Sequence, residues 1–139
     1  MRYDPQKVIN GTYGTLYVNG MEVMSVNSIS LEIKAEDGEV KQPKCLWTGH
    51  KLLGLSGEGE FTIDRLNHIY IKEWSRALME GRHPELTLMV NIDDPKSDDS
   101  MTVVAKDVNL EGVPVANFES QTIVKDTYKF SFADLDYPE

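Results

Sequence analysis

The sequence predicts a mainly β fold: a small antiparallel β-barrel or sandwich with one flanking α-helix at about 68–80 and a long loop at about 35–57. Three observations predict it. Ser28 to Lys34 alternates strictly, with Ile29, Leu31 and Ile33 on one side and Ser28, Ser30, Glu32 and Lys34 on the other, as a strand with one wet face does. Asn19-Gly20 separates two β-prone runs and fits a type I′ hairpin, whose two central residues both need positive φ. Helical spacing is confined to one stretch, where Ile69, Tyr70, Trp74, Ala77 and Leu78 recur on one side. Strands, one helix, then strands again is the element order of a β domain with a helix at one side or end.

Each element has a local reason. The opening hairpin joins Gly14–Val18 to Met21–Met24. From 35 to 57 neither a period of 2 nor of 3.6 is sustained. Asp37-Gly38 reads as a turn, Pro43 cannot serve in a central strand, and Gly54 to Gly57 reads as a flexible turn. Leu46, Trp47, Leu52, Leu53 and Leu55 argue against simple disorder there, and loops of this length are usually functional. Glu58 to Asp64 reads as a strand. Asn67 is a plausible N-cap for the helix, Gly81 fits its C′ position, and Pro84 forbids its continuation. Glu85 to Ile92, Met101 to Ala105, Phe118 to Val124 and Thr127 to Phe132 read as the remaining strands. Val108 to Leu110 extends the second of these or begins another. Tyr128, Phe130 and Phe132 share a face, with Lys129 and Ser131 opposite.

Composition narrows the function classes. The chain has 139 residues, the size of one domain, with no repeat or boundary inside it. Its 14 Lys and Arg stand against 23 Asp and Glu, a net charge of −9, which disfavours non-specific nucleic-acid binding. A single Cys excludes an internal disulfide framework or a Cys-rich zinc site. No apolar run approaches the roughly 20 residues of a membrane span, and the start of the chain lacks the apolar core of a signal peptide.

The candidate chemistry is thin. His50, His68 and His83 match no local metal motif. Cys45 reads as a buried or half-buried structural thiol. Gly54-Leu55-Ser56-Gly57 lacks the spacing of a nucleophile elbow. Asp93, Asp94, Asp98 and Asp99 offer no frame for a calcium loop and read as a solvated acidic connection. Asn10-Gly11-Thr12 matches a glycosylation sequon that has no secretory route. The Tyr70, Trp74 and Leu78 stripe reads as core packing. No acid, base and nucleophile assemble, so neither an enzyme nor a cofactor is expected.

The ordered set of elements resembles a known family, the tail-tube proteins of contractile phage tails and phage-tail-like bacteriocins of the Gram-positive prophage type. These are related in fold to the tube proteins of type VI secretion systems. The resemblance rests on Ile9 to Gly20, on the long interrupted segment through Trp47-Thr48-Gly49, and on Gly57 to Thr62. It continues with the single helix ahead of a glycine, Asp93-Asp94-Pro95, Lys106 to Leu110, and Phe130 to Asp134. It spans essentially the whole chain.

The resemblance implies a structural subunit that forms stacked, hexameric rings as the inner tube of a contractile tail or tail-like particle. Such a tube is a conduit for DNA or a membrane-puncturing rod. The implied partners are further copies of the chain and the tail sheath, tape-measure and baseplate proteins. DNA would pass through the lumen without being held, and the subunit itself would not insert in a membrane. The implied location is the tail of a virion or tail-like particle assembled in the bacterial host cytoplasm. The other reading is a monomeric β-barrel adaptor module of the tail.

Within this frame the 35–57 loop corresponds to one that reaches the adjoining ring. From 40 to 57 it carries three lysines and no acid. Lys41, Lys44 and Lys51 would then meet acidic groups of a neighbour, with Leu46, Trp47, Leu52 and Leu53 as apolar anchors. Otherwise the segment folds over its own barrel. Glu32, Lys34, Glu58 and Glu60 lie on wet strand faces and are candidates for a lumen wall; ordinary outer-wall groups are the equal alternative.

Overall fold

The computed structural model describes residues 2–138. After two short 3-10 turns (Pro5–Lys7 and Gly11–Tyr13), eight strands and one α-helix follow one another: β1 (Gly14–Val18), β2 (Met21–Glu22), β3 (Val26–Lys41), β4 (Thr48–Asp64), α1 (Ile69–Met79), β5 (Leu86–Ile92), β6 (Met101–Leu110), β7 (Lys125–Phe132) and β8 (Asp134–Asp136). All pairings are antiparallel, in the order β2-β1-β5-β6-β7-β4-β3, with β8 beside β6. The sheet folds over on itself as a sandwich without closing.

The fold-over occurs within β6. Its first part pairs with β5 and β8, while Asn109 and Leu110 pair with β7. Between them Asp107 adopts φ 54°, and the β5 register slips between Leu86 and Leu88. A strand that changes layers through a bulge makes the corner of a sandwich.

The turn and cap signals act as their chemistry requires. Asn19 and Gly20 have φ of 52° and 85°, both positive as a type I′ turn needs. Asn67 accepts a hydrogen bond from the Ile69 amide at 3.1 Å, one residue ahead of the cap position. Gly81, at φ 85°, ends α1, and the Gly81 and Arg82 amides donate to the carbonyls of Leu78 and Ala77. This pair of bonds satisfies the last helical carbonyls.

The core lies between the two layers. Leu16, Val18, Leu88, Val90, Val103 and Ala105 face Phe61, Tyr128, Phe130 and Phe132, and Trp74 of α1 closes one end. The Trp74 ring meets Tyr128 edge-on at 5.2 Å, and Phe61 stacks on Tyr128 at 4.9 Å. Burying each such aromatic side chain contributes about 1.5–3 kcal/mol. The three aromatic residues of β7 are core residues as their alternation predicts.

Four local expectations are corrected. Residues 35–57 are not a loop but the outer halves of β3 and β4, paired from Ala35 with Leu55 to Lys41 with Thr48. The expected turn at Asp37-Gly38 is a register slip inside this ladder, and Pro43 sits in the tip between the strands. Gly54 to Gly57 lies within β4, not in a turn. Phe118 to Val124 is an irregular connection instead of a strand, with Gln121 at φ 62° and the Phe118 side chain 87% exposed. That connection is held by a side chain from elsewhere: Arg65 donates to the carbonyls of Pro114 and Val115 at 2.7 and 3.1 Å.

Candidate assembly surfaces

Three surfaces lack an obvious covering: the end of the β3–β4 ribbon, one polar sheet face, and the gap where the sandwich fails to close. The ribbon is a two-stranded arm that leaves the body beyond Ile33 and Gly57. Val26 to Ile33 still pack on the core side through Ile29 and Leu31, but farther out no layer lies beneath the strands. Ile33, Val40, Leu52, Leu53 and Leu55 are therefore exposed. At the tip Trp47 is 87% exposed and Leu46 fully so.

The arm brings the sequence-predicted contact residues together in one extended element. Lys41, Lys44, Leu46 and Trp47 cluster at the tip, while Lys51, Leu52 and Leu53 lie on the returning strand β4; all seven are exposed. The charge picture is refined by the register. Glu36, Asp37 and Glu39 on β3 lie opposite Gly54, Leu52 and His50, and Lys51 lies opposite Gly38, so the shaft carries three acids and one lysine while the tip carries Lys41 and Lys44. Lys44 turns the chain at φ 62° and the Cys45 amide donates to the Gln42 carbonyl. Cys45 is exposed at this tip, which corrects the expectation of a buried thiol.

The polar face is built by alternation across three paired strands. Phe61, Tyr128 and Phe130 point to the core, so Glu58, Glu60, Thr62 and Asp64 of β4 and Lys125, Thr127, Lys129 and Ser131 of β7 point away from it. Ser28, Ser30, Glu32 and Lys34 of β3 continue this face. The structure therefore brings Glu32, Lys34, Glu58 and Glu60 onto one surface. Glu32 stands directly opposite Glu58, a repulsive register relieved by Lys34, whose Nζ lies 3.0 Å from Glu58. The hydrogen bond to Glu58 holds the Lys34 pKa above its ordinary value, with the charges of Glu58 and Glu32 adding to the effect. Glu60 stands opposite Lys129. Asp64 accepts from Lys125 at 2.9 Å and from Asn27 at 2.8 Å, and these bonds lower its pKa. The face thus mixes charges of both signs, two of its lysines ion-paired, and is not the uniformly acidic wall that the net charge suggests.

Where β1 and β3 approach without pairing, a cavity of about 940 Å³ opens between the layers. Leu16, Ile29, Leu31, Val90 and Val103 line it, and β3 leaves one backbone edge unpaired beside it. An unpaired edge over an apolar gap is a surface natural sheets normally cover.

Two buried carboxylates leave no local signal in the sequence. Asp126 is fully buried and forms a two-pronged ion pair with Arg65, at 2.8 Å from both its Nε and its Nη2. This bond keeps the Arg65 pKa above its ordinary value against the opposing effect of burial. Asp94, expected to be solvated, is 5% exposed and accepts from the Asn10 and Lys96 amides at 3.0 and 2.9 Å. It fastens the N-terminal segment to the β5–β6 connection. No group of His, Cys, Asp or Glu among the described residues is arranged to hold a metal ion.

The family described as phage tail tube protein matches residues 1–139. This chain belongs to the phage tail tube protein family. A Bacillus subtilis (strain 168) relative, the phage-like element PBSX protein XkdM, is 26% identical, over all of this chain and 96% of its own length. A second relative from that strain, the uncharacterized protein YqbM, matches to the same extent. Among solved structures the fold is similar to a chain of the sheath-tube complex of PVC, an extracellular contractile injection system. The TM-score is 0.72 at 9% identity, covering 93% of this chain and 90% of that one. It is also similar to a chain of a gene transfer agent virion, with a TM-score of 0.63 at 13% identity over 94% and 98% of the two chains. No helix among the described residues is long and apolar enough to cross a membrane.

Proposed function

We propose that the chain is the subunit of stacked, hexameric rings that form the inner tube of a contractile tail or tail-like particle. The observation that carries this reading is the β3–β4 arm. It projects apolar and basic side chains that nothing in its own chain covers, and an exposed apolar patch of this kind marks an interaction surface. The arm of one copy docks on a copy in the adjoining ring: Lys41, Lys44 and Lys51 meet carboxylates while Leu46, Trp47, Leu52 and Leu53 supply buried anchors. Within a ring, a neighbour covers the open side between β1 and β3 and pairs the free β3 edge.

The polar face then lines the lumen, with Glu32, Lys34, Glu58 and Glu60 on the wall. Lys34 and Lys125 are already ion-paired and the carboxylates repel phosphate, so a passing strand is not retained. The tube serves as a conduit for DNA or as a rod that punctures an envelope. Its assembly partners are the sheath, tape-measure and baseplate proteins, and assembly takes place in the host cytoplasm. The structural neighbours support this reading through the sheath-tube complex and a baseplate of contractile particles.

Negative-stain microscopy of purified protein at rising concentration tests it. Hollow rods or six-fold rings are the expected result. Monomers at every concentration, even with a baseplate added as initiator, contradict it.

A further inference from the structure

The β3–β4 ladder has two ends. Lys41 pairs with Thr48 below the arm tip, and Val26 pairs with Ile63 at the base. Just beyond the base the Asp64 amide donates to the Ser25 carbonyl at 3.0 Å. A pocket of about 230 Å³ opens there, between the β2–β3 connection and the start of α1. Val23, Met24, Leu66 and Tyr70 supply apolar lining, and Met24 and Leu66 are exposed. The volume lies below the roughly 300–1,000 Å³ of small-molecule sites and suits one large side chain.

The charge of the pocket is acidic on balance. Its lining holds one cation, Arg65, whose charge is met by Asp126. Asp64, also in the lining, is shared by Lys125 and Asn27. Glu22 is exposed and forms no ion pair among the described residues. The arm tip is the complement, with an exposed indole at Trp47 and, among the described residues, no ion pair at Lys41 or Lys44. Tip and pocket sit at opposite ends of one ladder and cannot meet within a copy. In a stack of like-oriented rings the contact between rings is head-to-tail, so an element leaving one end of a copy meets a different surface on the next.

We propose that the base pocket is the receptor for the arm: the Trp47 indole of a copy in the adjoining ring fills it, with Lys44 facing Glu22. The inference rests on the tube reading and adds the acceptor surface that reading leaves unassigned. An aromatic anchor seated in a pocket is the usual form of an interface hot spot. The Tyr70 ring and the Met24 thioether offer an indole the contacts it favours. The opposite signs of Lys44 and Glu22 fix which end of a copy the tip selects.

Cys45, the one cysteine of the chain, is exposed two residues from Trp47 and so reports where the tip lands. Two variants place a second thiol at the pocket, Met24→Cys and Leu66→Cys; both side chains are exposed, so the fold is kept and circular dichroism verifies it. Tubes are assembled with diamide, which takes up the two thiol hydrogens as a disulfide forms between position 45 of one copy and position 24 or 66 of another. Each variant is also assembled mixed with parent, so that tubes form even where the substitution weakens the contact. Non-reducing electrophoresis should show at least one variant cross-linked about tenfold or more above the parent, because docking raises the local thiol concentration. In unmixed tubes the products should run beyond the size of one ring, since the bond passes from ring to ring. Cross-linking at the parental level in both variants overturns the proposal and, where the parent forms tubes, leaves the tube reading standing. Products that end at the size of one ring also overturn it, because the contact would then close within the ring. Cross-links that persist when Cys45→Ser is added overturn it as well, because they would join base to base. Absence of tubes from the parent under every condition removes the tube reading itself, and this inference with it.

Discussion

Arg65 and Asp126 form the one buried ion pair among the described residues, joined by two bonds of 2.8 Å, and the same guanidinium ties down the 111–124 connection through two backbone carbonyls. Removing one partner leaves the other charge buried and unpaired, which costs about 3–5 kcal/mol. Asp126→Ala should lower the urea midpoint accordingly. Arg65→Lys alone should lower it too, because an ammonium cannot reproduce the fork. Arg65→Met combined with Asp126→Leu should recover most of the loss while leaving 111–124 more open to protease, since the carbonyl contacts are gone.

Gly59 is required by contact. A Cβ there would lie 2.6 Å from both the Phe130 ring and the Ser30 carbonyl oxygen. The ring could turn aside, but the carbonyl belongs to the β3–β4 ladder and cannot. Gly59→Ala should destabilise by about 1–3 kcal/mol, the usual cost of overpacking. Adding Phe130→Leu should not rescue it, as differential scanning calorimetry of the single and double variants would show.

The Tyr128 hydroxyl is buried and has no hydrogen-bond partner among the described residues. Burial, together with the nearby Asp126 charge, pushes its pKa above the ordinary tyrosine value. In the unfolded chain the phenol ionises near its usual pKa of about 10, while in the fold it stays neutral. Its contribution is complete below about pH 10 and is lost as pH rises above that toward the folded value. Tyr128→Phe removes an unpaired polar atom, so at pH 7 it should be neutral or stabilising by about 1 kcal/mol. Denaturant curves at pH 7 and at about pH 11 should show a smaller alkaline loss for the variant than for the parent.

What was legible in the sequence is what local chemistry decides. Asn19-Gly20 needs positive φ twice, Gly81 needs it once, and Tyr128, Phe130 and Phe132 need one buried face. Each is visible within a few residues, so the hairpin, helix and last core strand were readable. The arm was not. Alternation appears only where one strand face is buried, and beyond Ile33 neither face is. Leu52 and Leu53 follow one another because the ribbon has no inside. Phe118 to Val124 has strand-like composition, but Arg65, some 50 residues earlier, holds the adjoining backbone at Pro114 and Val115. The Asp126 and Asp94 contacts likewise join residues distant in sequence. The seven arm residues stand out in the sequence because apolar and basic types gather where no period survives, but that gathering does not reveal the paired strands that carry them.

Cys45 provides a probe of the arm. The thiol is exposed at the tip beside Leu46 and Trp47. In dispersed subunits a maleimide should label it readily, since thiol reactivity follows exposure. In assembled tubes, labelling should slow by about tenfold or more if the tip is buried at a neighbour. Equal rates in the two states would place the tip on a free surface.

The central claim, that the arm joins one ring to the next, is tested most directly by reversing its charge. The variant Lys41→Glu, Lys44→Glu, Lys51→Glu alters only exposed side chains. Electron microscopy of this protein, under conditions in which the parent forms rods, should show folded subunits or single rings and no stacked tubes. Tubes of normal length from the triple variant would contradict the claim.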